Sequence, residues 1–218
     1  MTNPVLVLMI LASLLASCGS DRMGSAATPV RIQASGCGPV PVIGSGVVVD
    51  HELVLTVAQV VAGAGNIEVT AGDGNRYEAV IAAIDTEDDV AVLKVRGLRG
   101  DRVELAEMAK GARGNFVGFG GDDAGVVTFT VRRRVTIRVN DIYDDVLSRR
   151  QGMEIDASVD PGDSGAALLD SRGRVVGMVF AASRHSAGVG YATAGVEFED
   201  TIEAAGRGAT AAAVRCRP

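Results

Sequence analysis

The run "DPGDSGAALLD" at residues 160–170 presents a serine in a setting that suits a nucleophile. Ser164 lies between Asp163 and Gly165, and Gly162 stands one place before that pair. Glycine residues around a serine let the backbone bend sharply and turn its N–H groups outward. A serine hydroxyl is inert near neutral pH unless a neighbouring group takes its proton. The run therefore predicts a nucleophile beside an oxyanion hole, on the condition that the fold supplies a base.

The elements that must position this serine are predicted to be short strands. From Arg31 onward, strand-like runs alternate with turn residues such as "GDG" at 72–74 and "SRGR" at 171–174. The many glycines and the lack of tryptophan favour an all-β fold with an aliphatic core. The segment "EFEDTIEAAG" at 197–206 is the strongest helix candidate, because it begins with acidic residues and ends in glycine. The basic run "VRRRVTIR" at 131–138 favours a solvated strand face, with a polyanion or peptide contact as the alternative.

The N-terminus is typical of an exported protein. Residues 4–15 are almost wholly apolar but too short to cross a bilayer, which takes about 20 residues. They fit the hydrophobic part of a secretory signal. The residues that follow, ending in Cys18, resemble a bacterial lipoprotein signal that is cleaved before a lipid-bearing cysteine. Because "MTNP" at the start carries no Lys or Arg, a plain secretory signal, an uncleaved anchor and a chain that is not exported stay open.

The cysteines support export. If Cys18 carries lipid, Cys37 and Cys216 remain, one near each end of the folded region. A bridge between them would close a loop around nearly the whole domain and contribute roughly 5 kcal/mol on the chain-entropy model. Such bridges persist in oxidising compartments. The alternative is two unpaired thiols in a cytosolic protein.

Composition excludes several classes of function. The net charge of −6 argues against nucleic acid as the main partner. The sequence has no HExxH motif and no paired-cysteine spacing for a metal, and no glycine-rich nucleotide loop runs from a strand into a helix. We therefore expect no cofactor. The expected partner is a polypeptide, and contact with a membrane is expected only through an N-terminal lipid or signal anchor.

Three motifs carry a resemblance to a known family. The segment "GSGVVVDHELVLTVAQVVAG" at 44–63 resembles the part of chymotrypsin-type serine proteases in which a strand runs into the turn with the catalytic histidine. "DTEDDVAVLKV" at 85–95 resembles the segment with the catalytic aspartate, and "GDSGAALLDSRGRVVGMVF" at 162–180 resembles the nucleophile strand and the next one. The order along the chain is also that of the family.

A subgroup of this family is more similar still. "DIYDD" at 141–145 and "VGYATAGVE" at 189–197 resemble the membrane-anchored acid-resistance serine proteases of actinobacteria, whose periplasmic domain has one cysteine near each end. This resemblance implies an all-β, chymotrypsin-like double six-stranded β-barrel with a short C-terminal helix. The implied order along the chain is a signal at 1–18, a linker at 19–30, a first barrel at 31–97 and a second barrel at 98–218.

The resemblance also implies a role for each site residue. Ser164 takes the nucleophile position, Asp89 takes the position of the triad acid, and the backbone N–H groups of Gly162 and Ser164 form the oxyanion hole. Composition alone leaves open that Asp89 merely caps an acidic turn. The specificity pocket would have Ser158 at its base and Ala181 and Ala182 on one wall, so we expect no preference for a charged side chain there.

The base position departs from the family. "LTVAQVV" places Gln59 where the family has histidine in a sequence similar to "TAAHVV". An amide does not titrate usefully, but it can accept a hydrogen bond from Ser164 and donate one to Asp89, so the geometry could survive while proton transfer fails. Loss of a triad histidine costs about 10⁶ in turnover. His51 and His185 are expected in exposed turns, with His185 open as a surrogate base.

Three functions follow from these residues. The favoured one is a catalytically impaired serine endopeptidase homologue, a monomer of the cell envelope that binds polypeptide in the former cleft. The first alternative is a slow but genuine endopeptidase that uses Ser164 with a surrogate base. The second is a structural envelope lipoprotein whose barrels are only a scaffold.

Overall fold

The computed structural model describes residues 27–120, 124–208 and 214–217. The predicted signal at 1–18, including the predicted lipidation site Cys18, lies outside these residues. No helix in the described ranges is long and apolar enough to cross a membrane. The first strand begins at Thr28, which pairs with Val48, so the last part of the predicted linker at 19–30 belongs to the folded domain.

The N-terminal half forms a closed antiparallel barrel of six strands in the spatial order β1-β2-β3-β6-β5-β4. The strands alternate inward aliphatic and outward polar residues, as in β1, where Val30, Ile32 and Ala34 are buried between half-exposed neighbours. The strands are β1 (Thr28–Ser35), β2 (Val42–Asp50), β3 (Leu53–Thr56), β4 (Asn66–Thr70), β5 (Arg76–Asp85) and β6 (Val90–Val95).

The second half repeats this architecture, with six strands in the order β10-β11-β12-β9-β8-β7. The barrel closes through a single pairing, Leu169 with Asn115. The predicted chymotrypsin-like double six-stranded barrel is thereby confirmed. The strands are β7 (Arg113–Gly118), β8 (Gly125–Asn140), β9 (Leu147–Asp156), β10 (Ala167–Leu169), β11 (Val175–Ala182) and β12 (Val189–Ala194).

The helices are short and lie at the ends of strands. Helix α1 (Ala58–Val61) follows β3 directly and carries position 59. The predicted helix at 197–206 is a 3₁₀ turn (Gly195–Phe198) that continues into α2 (Glu199–Gly206). Although α2 follows the second barrel in sequence, it packs on β5 and β6 of the first, and its Ala205 joins the core of that barrel.

A disulfide ties the chain ends together. Cys37, just after β1, is bonded to Cys216, as the sequence predicts. We call residues 214–217 the C-terminal strap. In this strap the guanidinium of Arg215 lies 4.4 Å from the ring centroid of Tyr143 and pairs with Asp145. The strap therefore connects the first barrel to the β8–β9 loop of the second.

The predicted basic strand is confirmed as a solvated face paired with acidic neighbours. In β8, Arg132 and Arg133 bind Glu154 at 3.2 and 2.7 Å, and Arg134 binds Glu107 at 2.9 Å. The Arg134–Glu107 pair joins two exposed side chains, and such a pair contributes little to stability, about 0–1 kcal/mol. The carboxylate of Glu154 is already bound by Arg132 and Arg133.

Candidate active site

The loop before β10 bends sharply around Ser164. Gly162 and Gly165 take φ values of +101° and +91°, which side chains with a Cβ rarely adopt. A Cβ at position 165 would also collide with the carbonyl oxygen of Ser45. The hydroxyl-bearing residue is thus held at a tight, half-exposed bend, which agrees with the bend predicted from the sequence.

Ser45 of β2 fixes this loop in place. Its buried hydroxyl donates to the Gly162 carbonyl at 2.8 Å and accepts from the Phe119 N–H at 3.1 Å. Its own N–H donates to the Ser164 carbonyl at 2.8 Å. Its carbonyl accepts from the Thr56 hydroxyl at 2.8 Å. Ser45 is not among the residues predicted from the sequence, although a serine inside an otherwise aliphatic strand run is the signal that would have found it.

Two N–H groups at this bend, the predicted oxyanion donors, make no hydrogen bond to the described residues. Within residues 27–120, 124–208 and 214–217, the N–H groups of Gly162 and Ser164 donate to no protein acceptor. The neighbouring Asp163 points away and is buried, with its Oδ2 accepting the Asp160 N–H at 2.8 Å. Burial raises the pKa of Asp163. The two free N–H groups are the arrangement that would stabilise negative charge on an acyl oxygen.

Gln59 lies at the junction of the barrels, and its side chain does not bind Ser164. The Nε2 group donates to the Phe180 carbonyl at 2.9 Å, and Oε1 accepts from Nη1 of Arg217 at 3.5 Å. A carbonyl only accepts and a guanidinium only donates, so these two contacts define which end of the amide is which. The side-chain relay from Ser164 through Gln59 to Asp89, which the amide chemistry allows, is therefore not formed. The reason is that β11 and the C-terminal strap offer the amide better partners.

The Gln59 helix and the Ser164 loop nevertheless meet. The Gly165 N–H donates to the Val179 carbonyl at 2.8 Å, and the next carbonyl along β11, that of Phe180, receives Gln59. The two predicted site residues are thus placed side by side against one strand. A Cβ at Gly44 would contact both the Val60 side chain and the Ser164 carbonyl, which is further evidence of close packing.

Asp89 is buried and contacts Gln59 through the backbone. Its Oδ1 accepts the Gln59 N–H at 2.8 Å, and its own backbone has φ +57°, a conformation that non-glycine residues adopt rarely. Burial raises the pKa of Asp89 to about 6, against the lowering effect of the Gln59 N–H and of the Arg150 and Arg217 guanidinium groups. The structure thus places Asp89 beside position 59, where the family resemblance puts the triad acid.

Arg150 of β9 is a buried cation next to this carboxylate. Its Nη2 lies 3.8 Å from Oδ2 of Asp89, and its Nη1 donates to the Glu87 carbonyl at 3.2 Å. The guanidinium carbon sits 4.8 Å from the ring centroid of Phe180, and Nε has no hydrogen-bond partner among the described residues. Burial lowers the pKa of Arg150, and Asp89 opposes this. Arg150 is not predicted from the sequence, because an arginine in an alternating strand is typical of a solvated face.

Two of the three predicted pocket residues line one groove. Ala181 and Ala182 line a groove of about 550 Å³ beside β11. Ser158 is exposed and does not line this groove. His185 lines its outer end, and His51 lies in the β2–β3 turn; both are exposed, and neither imidazole makes a hydrogen bond in the part of the chain described.

Strand β11 leaves one edge free beside Gln59. The Ser183 N–H donates to the Val189 carbonyl at 2.8 Å, so Ser183 faces β12. Because facing directions alternate along an antiparallel strand, Ala182 turns its N–H and C=O to the opposite side, as the Gln59 contact shows for Phe180. On that side β10 pairs with β11 no further than Met178. The Phe180 carbonyl on this side is occupied by the Gln59 amide, and the backbone groups of Ala182 face an open edge.

The comparisons with known proteins agree with this architecture. The family model described as "Trypsin-like peptidase domain" matches residues 44–178 of the chain. The serine protease Rv3671c of Mycobacterium tuberculosis is 38% identical over 152 residues, which cover 68% of this chain and 38% of that protein. The chain thus spans well under half the length of this relative.

Solved structures give the same result. The crystal structure of the Rv3671c protease in its active form matches with a TM-score of 0.82 at 29% identity, over 89% of this chain and 87% of that one. The inactive form of the same protease matches with a TM-score of 0.71 at 30% identity, over 84% and 90%. The backbone therefore resembles the active form more closely than the inactive one.

Proposed function

Because the chain belongs to the trypsin-like peptidase family, we propose that it is an envelope-located serine endopeptidase homologue that binds polypeptide and has lost most of its catalytic power. The observation that carries this proposal is the setting of Gln59. Its amide is engaged by Phe180 and Arg217 rather than by Ser164, and an amide cannot take up the serine proton near neutral pH.

The effect on the chemistry follows from what a base does in this family. The base removes the serine proton during attack and returns a proton to the leaving amine. Without it, Ser164 keeps its proton, and turnover is expected to fall by about 10⁶. The free N–H groups of Gly162 and Ser164 still offer a site for a peptide carbonyl, so we expect peptide binding to be retained although catalysis is lost.

The charge around Asp89 supports the same proposal. In a working triad the buried carboxylate stabilises the imidazolium that forms during the reaction. Here no imidazole is adjacent, and the nearest cationic atom to its Oδ2 is Nη2 of Arg150 at 3.8 Å. The carboxylate therefore balances a permanent cation instead of a transient one.

Polypeptide binding is supported by the open edge of β11. The backbone groups of Ala182 face away from β12, next to the Phe180 carbonyl that Gln59 occupies, in the position where an extended peptide can add as a further strand. Main-chain hydrogen bonds of this kind give affinity without a requirement for one sequence. The edge ends beside Ser164, so a bound segment would pass the former nucleophile.

The proposed location rests on the disulfide and on the N-terminal signal. The Cys37–Cys216 bridge is of the kind that persists in oxidising compartments. Lipid attachment at Cys18 would hold the domain at the membrane surface as a tethered monomer. Radiolabelled palmitate fed to producing cells should label the native protein and not a Cys18→Ser variant.

The catalytic part is tested with a fluorophosphonate probe, which reacts with activated serines. We expect no labelling of the native protein, labelling of Gln59→His, and none of Gln59→His/Ser164→Ala. Labelling of the native protein that disappears in Ser164→Ala would instead establish the slow endopeptidase. A Gln59→His variant that folds but stays unlabelled would favour the scaffold role.

A further inference from the structure

The groove beside β11 combines an apolar floor with a charged rim. It has a volume of about 550 Å³ and lies between β8, β11 and the loop that follows β11. Phe180, Tyr191 and the buried Ile137 supply its apolar lining. Arg138 and Arg184 are exposed and line the same groove. The groove thus offers contact area to a hydrocarbon stem and cations to a charged tip.

The charges of this groove do not balance. Glu154 is the only carboxylate in its lining, and Arg132 and Arg133 already bind it at 3.2 and 2.7 Å. Arg138 and Arg184 form no salt bridge with any described residue. The whole chain carries a net charge of −6, so this local excess of positive charge runs against the average of the molecule. Unpaired cations at the rim of an apolar groove favour an anionic ligand group.

The position of the groove indicates what that ligand belongs to. Ala181 and Ala182 of the open β11 edge are part of its lining. Side chains of an extended segment alternate between its two faces, so a segment added at this edge would direct every second side chain toward the groove. A glutamate or aspartate fits best, because its methylene groups can lie on Phe180 and Tyr191 while its carboxylate reaches the arginines.

We propose that this groove selects an acidic side chain in a polypeptide held along β11, with Arg138 and Arg184 as the residues that determine specificity. The proposal rests on the function proposed above, in that it requires a polypeptide at the β11 edge. It adds the substrate class, an acidic extended segment.

The test is fluorescence polarisation with labelled peptide pools that are randomised except for one central position. That position is Glu in one pool, Gln in the second and Lys in the third. We expect the native protein to bind the Glu pool roughly five- to tenfold more tightly than the Gln pool, and the Lys pool most weakly. The difference between the Glu and Gln pools should shrink as salt is added.

Two variants identify the residues responsible. Arg138→Gln/Arg184→Gln should bind the Glu and Gln pools equally, whereas Arg113→Gln, an exposed arginine of β7 outside the groove, should behave as native. Equal binding of both pools by the native protein, or a preference that survives the double variant, would overturn the groove proposal and leave strand-edge binding intact. Failure of all three pools to bind would overturn both proposals.

Discussion

The backbone N–H of Gln59 donates a 2.8 Å hydrogen bond to the buried carboxylate of Asp89, while the Gln59 side chain turns to the carbonyl of Phe180. The contact between these two residues is therefore independent of the side chain at position 59. A histidine there would keep the same backbone bond. Asp89 thus has a structural role in holding α1, whatever its place in the chemistry.

This burial makes the stability of the protein depend on pH in an unusual direction. The pKa of Asp89 is raised from 3.8 to about 6 in the folded state, so folded protein holds this proton where unfolded protein has lost it. The free energy of unfolding should therefore fall by about 2–3 kcal/mol from this group as pH rises from about 4 to above 6. Urea denaturation at a series of pH values measures this, with native protein compared against Asp89→Asn.

The Asp89→Asn variant isolates the contribution. An asparagine keeps an oxygen for the Gln59 N–H but does not titrate. The free energy of unfolding of this variant should therefore lack the part of the fall between pH 4 and 6 that Asp89 causes. Asp88, whose pKa is also raised to about 6 by burial and by Asp85 and Glu197, gives a second component, which Asp88→Asn should remove separately. Parallel curves for native protein and Asp89→Asn would contradict the prediction.

Arg150→Met should destabilise the fold by about 3–5 kcal/mol. Removing one partner of a buried ion pair leaves the other charge uncompensated, and here Asp89 would lose the nearby guanidinium. The measurement is urea denaturation at pH 7. Arg149→Met, the exposed neighbour on β9, serves as the matched control and should change stability by less than about 0.5 kcal/mol. The double variant Arg150→Met/Asp89→Asn should recover part of the loss; no recovery would assign the effect to lost packing on Phe180.

Ser45→Ala should weaken the loop that carries Ser164. The substitution leaves the partly buried Gly162 carbonyl and the Phe119 N–H without their partner, a cost of about 1–3 kcal/mol. In the Gln59→His background it should also slow fluorophosphonate labelling, because this loop carries Gly162, the proposed oxyanion donor. Ser171→Ala, in the exposed turn before β11, should leave both properties unchanged. Unchanged labelling after Ser45→Ala would mean that the loop is held by its glycine geometry alone.

Removal of the disulfide should lower the free energy of unfolding by roughly 3–5 kcal/mol. The bridge joins residues 179 positions apart, so it strongly restricts the unfolded chain. Cys37→Ser/Cys216→Ser should show the loss without reductant, and reductant should bring the native protein to the same stability. A native protein that is insensitive to reductant under denaturing conditions would contradict this.

The all-β class could be predicted from strand runs and turn residues, which are local properties, and the double barrel from the resemblance of three motifs to a known family. The predicted helix at 197–206 overlaps a 3₁₀ turn at Gly195–Phe198, and the α-helix itself begins at Glu199. Position 59 could also be placed, since α1 follows β3 immediately. The orientation of the Gln59 amide could not be predicted, because its partners Phe180 and Arg217 are far away in the sequence and only the fold brings them near.

Arg150 shows a second limit of the sequence. It stands in a run of alternating residues where charge indicates solvent, and only the approach of the Asp89 turn from the other barrel makes its site a buried one. The excess positive charge of the β11 groove could not be predicted from the sequence either. Arg138 and Arg184 lie on different strands and loops, and whether an arginine has a partner is decided by neighbours across the sheet.

The bond between Cys37 and Cys216 also makes the folded region a covalent ring. A cut in an exposed turn, such as the one at residues 171–173, would open the chain without separating the pieces. On a gel without reductant a nicked molecule would migrate as a single species, and with reductant as two. In a compartment rich in foreign proteases, such a ring would let the domain survive one cleavage with its parts still in register.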